Sequence, residues 1–223
     1  MSFCGIYVHG YDRPFSFKEN AHALLPFRQL SAETWPLYIF YAKPGDIEIA
    51  MDILGNVIPI QVTPMRSIRD YDEFMMHQCF HVVRFENTLT FHDDGWLLKA
   101  GWENYAEKFD YIGASWTRHI PDFDFHYKGN PYAKFKGYDK IHTKTTVGNG
   151  GFCFRKRSKM LEVEKSVDWS TRVGDWLPDD VFYSFYGFGQ GIFRPVTSDE
   201  ADLWSEEPRR GGDTFGFHDA HKN

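Results

Sequence analysis

Thr88-Leu89-Thr90-Phe91-His92-Asp93-Asp94-Gly95 is the stretch on which the reading of the fold turns. Its first four residues are apolar or β-branched, the composition of a short buried strand. The next three set an imidazole and two carboxylates at the C-terminal end of that strand. Open α/β sheets bind their ligands just outside the carboxyl ends of their strands. Hard divalent ions such as Mn²⁺ and Mg²⁺ take oxygen donors, and they suit a carboxylate placed there. Neighbouring residues of a regular strand point to opposite faces. One of Asp93 and Asp94 is therefore expected to hold an ion, while the other meets a ribose, a sugar or a bound water. The competing reading is a plain Asp-Asp-Gly turn with no ligand.

Strands and helices alternate outward from this segment. A strand is expected over residues 5–9, broken by Gly10-Tyr11-Asp12-Arg13-Pro14. Helical spacing runs from Phe17 to Leu30, with Pro26 as a kink. The continuous apolar run Leu37 to Tyr41 reads as a buried parallel strand. Asp46 to Leu54 and Asp70 to Val83 read as helices, and Val57 to Val62 as a strand. Further on come a short helix over Glu103 to Lys108, strands over Tyr111 to Ala114 and Phe152 to Arg155, and helices over Ser158 to Glu164 and Asp179 to Tyr186, the last opened by Pro178. Residues 117–146 read as irregular, and the tail from Pro195 as loop with short strands. Alternation of this kind predicts an α/β fold with a central, mostly parallel sheet flanked by helices. No linker divides the 223 residues, so a single domain is expected over 1–223.

Composition narrows the function. Hydrophobic residues make up 42% and charged residues 25%, enough apolar surface for a substantial core. A net charge of −6 argues against a general nucleic-acid binder. Cys4, Cys79 and Cys153 show no metal or disulfide spacing and read as reduced thiols. No apolar run approaches a membrane span, and no basic-then-apolar leader opens the chain. The expectation is a protein that is cytoplasmic, in a bacterial or infected host cell, and not secreted.

Four further pieces carry chemistry. Gly148-Asn149-Gly150-Gly151 reads as a flexible loop that approaches a ligand closely, with Asn149 on a sugar hydroxyl, or else as a plain turn. Asp179 and Asp180 open a helix, where carboxylates serve as caps or where one acts as a general base. Phe215-Gly216-Phe217-His218 ends in an imidazole able to close a metal site, with His221 as a rival. Lys128, Lys134, Lys136, Lys140 and Lys144 are interleaved with Tyr127, Tyr132, Phe135 and Tyr138, and Arg155, Lys156, Arg157 and Lys159 follow. This stretch is either a solvated lysine-rich loop or a docking surface for a polyanion.

Taken in order, Trp35 to Phe40, Phe91 to Asp94, Asp110 to Trp116, Val147 to Phe152, Arg155 to Met160, Pro178 to Val181, Trp204 to Glu206 and Phe215 to His218 resemble a family of GT-A-fold glycosyltransferases of bacteria, fungi and large viruses. The likeness covers roughly residues 5–220 and rests on the number and order of motifs, none specific by itself. It implies a hexosyl- or pentosyltransferase that uses a nucleoside diphosphate sugar, UDP-sugar foremost, with Mn²⁺ or Mg²⁺. The nucleotide-sugar half would be residues 1–116 and the acceptor half 117–223.

The family shows Gln-x-Asp where this chain has His92-Asp93-Asp94, so Asp94 falls on the metal-binding position and His92 replaces the Gln. Asp93 and His218 complete the implied metal set. His9, Tyr11, Arg13, His92, Asp93, Asn149, Gly150 and Gly151 fall on the donor side. Asp179-Asp180 is similar to the acidic pair of fringe-like inverting transferases, which implies that Asp180, with Asp179 beside it, is the base. Trp116, Lys134, Lys136, Trp204 and Glu206 are the candidate acceptor contacts. The acceptor is expected to be a glycan of an envelope polysaccharide. A hydroxylated base of viral DNA is the alternative, and a non-catalytic sugar-nucleotide-binding module the third reading.

Overall fold

A computed structural model describes residues 2–115, 147–169, 177–206 and 211–218. Six strands build the central sheet: β1 (Phe3–Pro14), β2 (Leu37–Lys43), β3 (Val57–Gln61), β4 (Asn87–Phe91), β5 (Tyr111–Ser115) and β6 (Val147–Lys156). Their order is β3-β2-β1-β4-β6-β5. The pairs β1–β2, β2–β3 and β1–β4 are parallel, while β6 runs antiparallel to both its neighbours. The expected mixed α/β architecture, central and mostly parallel, is the one observed. The strand that carries the opening motif, β4, lies in the middle and is buried along its whole length.

The helices cover both faces. On one side lie α1 (Phe17–Leu30), α2 (Ile47–Leu54), a 3-10 turn (Trp102–Glu107) and α6 (Ser198–Trp204). On the other lie α3 (Ile68–Phe74), α4 (Arg157–Ser166) and α5 (Asp179–Gly189). Strand residues alternate between the two cores: Phe3, Tyr7, Leu37 and Ile39 enter the first, and Cys4, Ile6, Tyr38 and Phe40 the second. A strand buried on both faces loses the polar half of its alternation, which explains the continuous apolar runs in the sequence.

Local chemistry sets the ends. Ser16 caps α1 by accepting the Glu19 N–H, and α1 carries Pro26 within it. Ser67 and Asp70 form a reciprocal capping box at α3. That helix runs on through a π turn (Met75–Cys79) and a last turn (Phe80–Val82). The π turn re-aims its carbonyls, and the Tyr183 hydroxyl donates to those of Met75 and Met76 at 3.2 and 3.4 Å.

Four expectations are corrected. β1 does not break at Gly10; it bends after His9 and continues to Pro14, which pairs with Lys43. Gly148 to Gly151 is not a loop but part of β6. The tail holds the expected short strands, β7 (Ser205–Glu206) and β8 (Gly216–Phe217), paired in a small parallel sheet, but its described residues also include an unexpected helix, α6, capped by a Thr197–Glu200 box. Arg155 does not belong to a basic surface; it is wholly buried. The lysine-rich residues 126–144, with Trp116, Lys134 and Lys136, and His221 lie outside the described residues. No described helix is long and apolar enough to cross a membrane.

Arg155 is the chief polar element of the second core. Its guanidinium Nη1 lies 2.6 Å from Asp179 Oδ2, and its Nε donates to Cys153 Sγ at 2.9 Å. The rings of Tyr183, Tyr111 and Phe80 surround it at 5.4, 5.5 and 5.9 Å. Removing one partner of a buried ion pair strands the other charge in low dielectric, at a cost of about 3–5 kcal/mol. Arg155→Met should lower unfolding stability by about that amount, read by urea denaturation. The double variant Arg155→Met/Asp179→Leu should recover much of the loss, because both charges are then gone.

Candidate functional site

The site is built at the C-terminal ends of β1 and β4. β4 ends at Phe91, and the chain turns through His92, Asp93 and Asp94. The His92 N–H donates to the Gly151 carbonyl at 3.1 Å, fastening the turn to β6. The turn is held from α1 by His22, whose Nε2 lies 2.5 Å from the Asp93 carbonyl oxygen and whose ring meets Trp96. The C-terminal segment then closes over it. Leu98 N–H donates to the Phe215 carbonyl, Trp96 packs edge-on to Phe217, and the His218 N–H donates to the Glu206 carbonyl.

This closure brings His218 to Asp94, with Nε2 3.2 Å from Oδ1. His92, Asp94 and His218 each offer a ligand atom, and these atoms lie within 4.8 Å of one another. Three donors at that spacing, two imidazoles and a carboxylate, fit a divalent ion. Burial pushes the Asp94 carboxyl up, but the hydrogen bond and charge of His218, with His92, outweigh it and bring it down to about 2. Burial and the neighbouring His218 lower His92 to about 4, so its imidazole is neutral at neutral pH. Tyr71 Oη sits 2.6 Å from His92 Nε2 and fixes the orientation and tautomer of the ring. Asp94 and His218 come together as the sequence led us to expect. His92, expected on the donor side, joins them in this group while also bordering a cleft at the end of β1. Asp93 is not in that group, and the residue borders the same cleft.

The cleft, about 160 Å³, runs from this turn along β1 and α3 and is lined by Val8, Gly10, Tyr11, Met65, Tyr71 and His92 among others. Tyr11 is 53% exposed at its mouth, with the Arg13 guanidinium 5.6 Å from the ring centroid. His9 alternates to the opposite face. It is buried edge-on to Phe15 and Tyr11, and burial, then Arg13, lowers its pKa. Of the three β1 candidates, Tyr11 borders the cleft and His9 does not.

The second half of the site is acidic. Pro178 opens α5, and the buried Asp72 of α3 accepts the Asp179 N–H at 3.0 Å. The Asp179 carboxylate is turned inward to Arg155. Asp180 is turned the other way and accepts N–H donors from Gly150 at 3.2 Å and Val181 at 2.7 Å. Burial first, and the charge of Asp179 second, push the Asp180 carboxyl up to about 7, against the pull of those N–H groups and Arg155. The two adjacent acids are thus separated in role by environment.

Between the two halves passes the glycine segment of β6. Ile112 pairs with Phe154, but Ala114, two residues on, pairs with Asn149, five residues back, so β6 bulges here. Bulges re-aim backbone and side chains and are common beside active sites. The need for glycine is close approach. A Cβ on Gly151 would lie 2.0 Å from the His218 ring, and one on Gly150 would lie 3.0 Å from both Asp180 Cβ and Arg155 Nη2. The Asn149 side-chain oxygen is engaged by the Gly151 N–H at 2.9 Å, so it serves the bulge. Of the acceptor candidates, Trp204 is wholly buried and its indole donates to the Phe152 carbonyl, a core role away from any acceptor. The Glu206 carboxylate accepts the Gly212 N–H at 2.8 Å. The signal for Arg155 was its place two residues after Cys153 on the same face of the strand, obscured by the neighbouring Lys156 and Arg157.

The chain belongs to the family described as "Protein of unknown function (DUF5672)", whose model matches residues 56–213. No curated protein matches it. Among solved structures, it is similar to mouse xyloside xylosyltransferase 1 in its apo form, with a TM-score of 0.54 at 8% identity over 98% of each chain. The fold is thus GT-A-like, the kind that glycosyltransferases use.

Gly151→Ala should displace His218 at a cost of about 1–3 kcal/mol. The expected observation is a lowered thermal midpoint with the imidazole NMR signals of His218 and His92 shifted and the remaining spectrum largely conserved.

Proposed function

We propose that this chain is a metal-dependent glycosyltransferase that moves a sugar from a nucleoside diphosphate sugar to an acceptor hydroxyl with inversion. One observation carries the reading. The bulged glycine strand has the His92–Asp94–His218 donor set on one side and an acid poised near neutrality, Asp180, on the other. A divalent ion held at the first would offset the charge that develops on the departing diphosphate. The second would take the proton of the incoming hydroxyl.

In this reading the nucleotide lies along the cleft, with Tyr11 at its mouth, and the donor we propose is a UDP-sugar. Asp94, His92 and His218 hold the ion, and Asp93 reaches toward the ribose or sugar. Gly150 and Gly151 leave the room in which Asp180 and His218 stand. Asp180 accepts the acceptor proton as the hydroxyl oxygen bonds to the anomeric carbon and the bond to the diphosphate oxygen breaks. Asp179 stays paired with Arg155 and lends its charge to raise the affinity of Asp180 for that proton. Residues 1–116 supply the donor side and residues 117–223 the acceptor side, in a single domain. The acceptor we propose is a glycan hydroxyl.

Asp94→Asn should abolish the metal-dependent part of UDP binding, read as the loss of the extra thermal shift that a divalent ion adds to UDP. Wild-type turnover should rise with pH through about 7 and then level, because Asp180 acts only when deprotonated. Asp180→Asn should lose about 10²–10⁴-fold in rate and with it that rise. A product of retained anomeric configuration would overturn Asp180 as the base.

A further inference from the structure

The donor set itself says which ions it favours. Of its three ligands, two are imidazoles and one is a carboxylate. Mg²⁺ is a hard ion that is bound by oxygen, sheds water reluctantly, and commonly needs substrate phosphates to complete its shell. Imidazole suits the later first-row ions, and affinity for a mixed N/O site rises from Mn²⁺ through Fe²⁺ and Co²⁺. The second oxygen that the sequence offers, Asp93, lies outside the set and borders the cleft instead.

The ligands are also held in place by contacts within the chain itself. His92 is fixed through its backbone N–H on Gly151 and its ring on Tyr71. His218 is fixed through its backbone N–H on Glu206 and its contact with Asp94. Gly151, with no side chain, leaves room for the His218 ring. A preorganised set of three side chains binds an ion with little further ordering.

We propose that His92 makes this a transition-metal centre, selective for an imidazole-seeking ion of the Co²⁺ and Zn²⁺ class over Mg²⁺ and loaded before any nucleotide arrives. The proposal rests on the reading of His92, Asp94 and His218 as the metal-holding part of the proposed transferase. Residue 92 is then the determinant of ion choice, and Tyr71 is a positioning residue that acts through it.

The probe is Co²⁺, whose visible absorption reports nitrogen ligation directly. The full chain, freed of metal, is titrated with Co²⁺ and no nucleotide, and Mg²⁺ is then added as competitor. One Co²⁺ per chain is expected, with at least about 100-fold preference over Mg²⁺. His92→Asp should shrink that preference by at least about tenfold, and Tyr71→Phe should weaken Co²⁺ by about 10–100-fold while leaving one ion per chain. If His92→Asp fails to fold, His92→Asn carries the same expectation of a reduced preference. Equal displacement by Mg²⁺, or no Co²⁺ uptake until UDP is added, overturns the proposal. UDP is added last as a separate readout. A Co²⁺-loaded protein that ignores UDP would overturn the transferase reading and leave the ion preference standing.

Discussion

Everything on the acidic side of the site depends on one buried charge pair. Arg155 has no contact with solvent, and its guanidinium sits against the Asp179 carboxylate inside a cage of Phe80, Tyr111 and Tyr183. Such a pair adds little net stability over apolar residues of the same shape. Its value is in arrangement. It ties β6 to the start of α5 and turns one acid inward, leaving the other, Asp180, to face the glycine strand. Asp72 strengthens the same joint by accepting the backbone N–H of Asp179. The polar network is thus a fastening between sheet and helix, and its by-product is one carboxyl with an unusual hold on its proton.

The glycine strand turns that fastening into a site. A regular β6 would send Gly150 and Gly151 to opposite cores at ordinary spacing. The bulge between the pairings of Ile112 and Ala114 instead seats Gly150 against Asp180 and Gly151 against His218. Glycine at these two positions leaves room for Asp180 beside one and for the His218 ring beside the other.

Much of this was legible in the sequence, and the reasons differ by residue. Phe17 to Leu30 and Thr88 to Phe91 announced themselves because periodicity and apolar runs are local properties. Asp94 and His218 were legible as candidate metal donors by residue type, and the resemblance set them together. The bulge was not legible, because it exists only in the pairing of β6 with β5. Arg155 read as one of a run of surface cations, because it stands where a strand buried on both faces runs out into the charged start of α4. α6 was missed although Thr197 and Glu200 spell its capping box. That signal was present and outweighed by the loop-like composition of the tail. His92 was placed on the donor side because it replaces the Gln of the resembling family; its meeting with Asp94 and His218 depends on the closing of residues 215–218 over the turn, which no local pattern announces.

The same aromatic cage shapes the chemistry of sulfur. Cys79 and Cys153 lie within the field of Arg155, and Cys4 lies near Cys79, yet all three are buried and burial pushes their thiols up, Cys153 to about 11. Alkylating reagents attack the thiolate, so the native chain offers them almost nothing. Once the chain opens, three ordinary cysteines appear together. The molecule therefore carries its own gauge of unfolding: covalent capture by iodoacetamide would count open molecules one by one, with no dye and no engineered label.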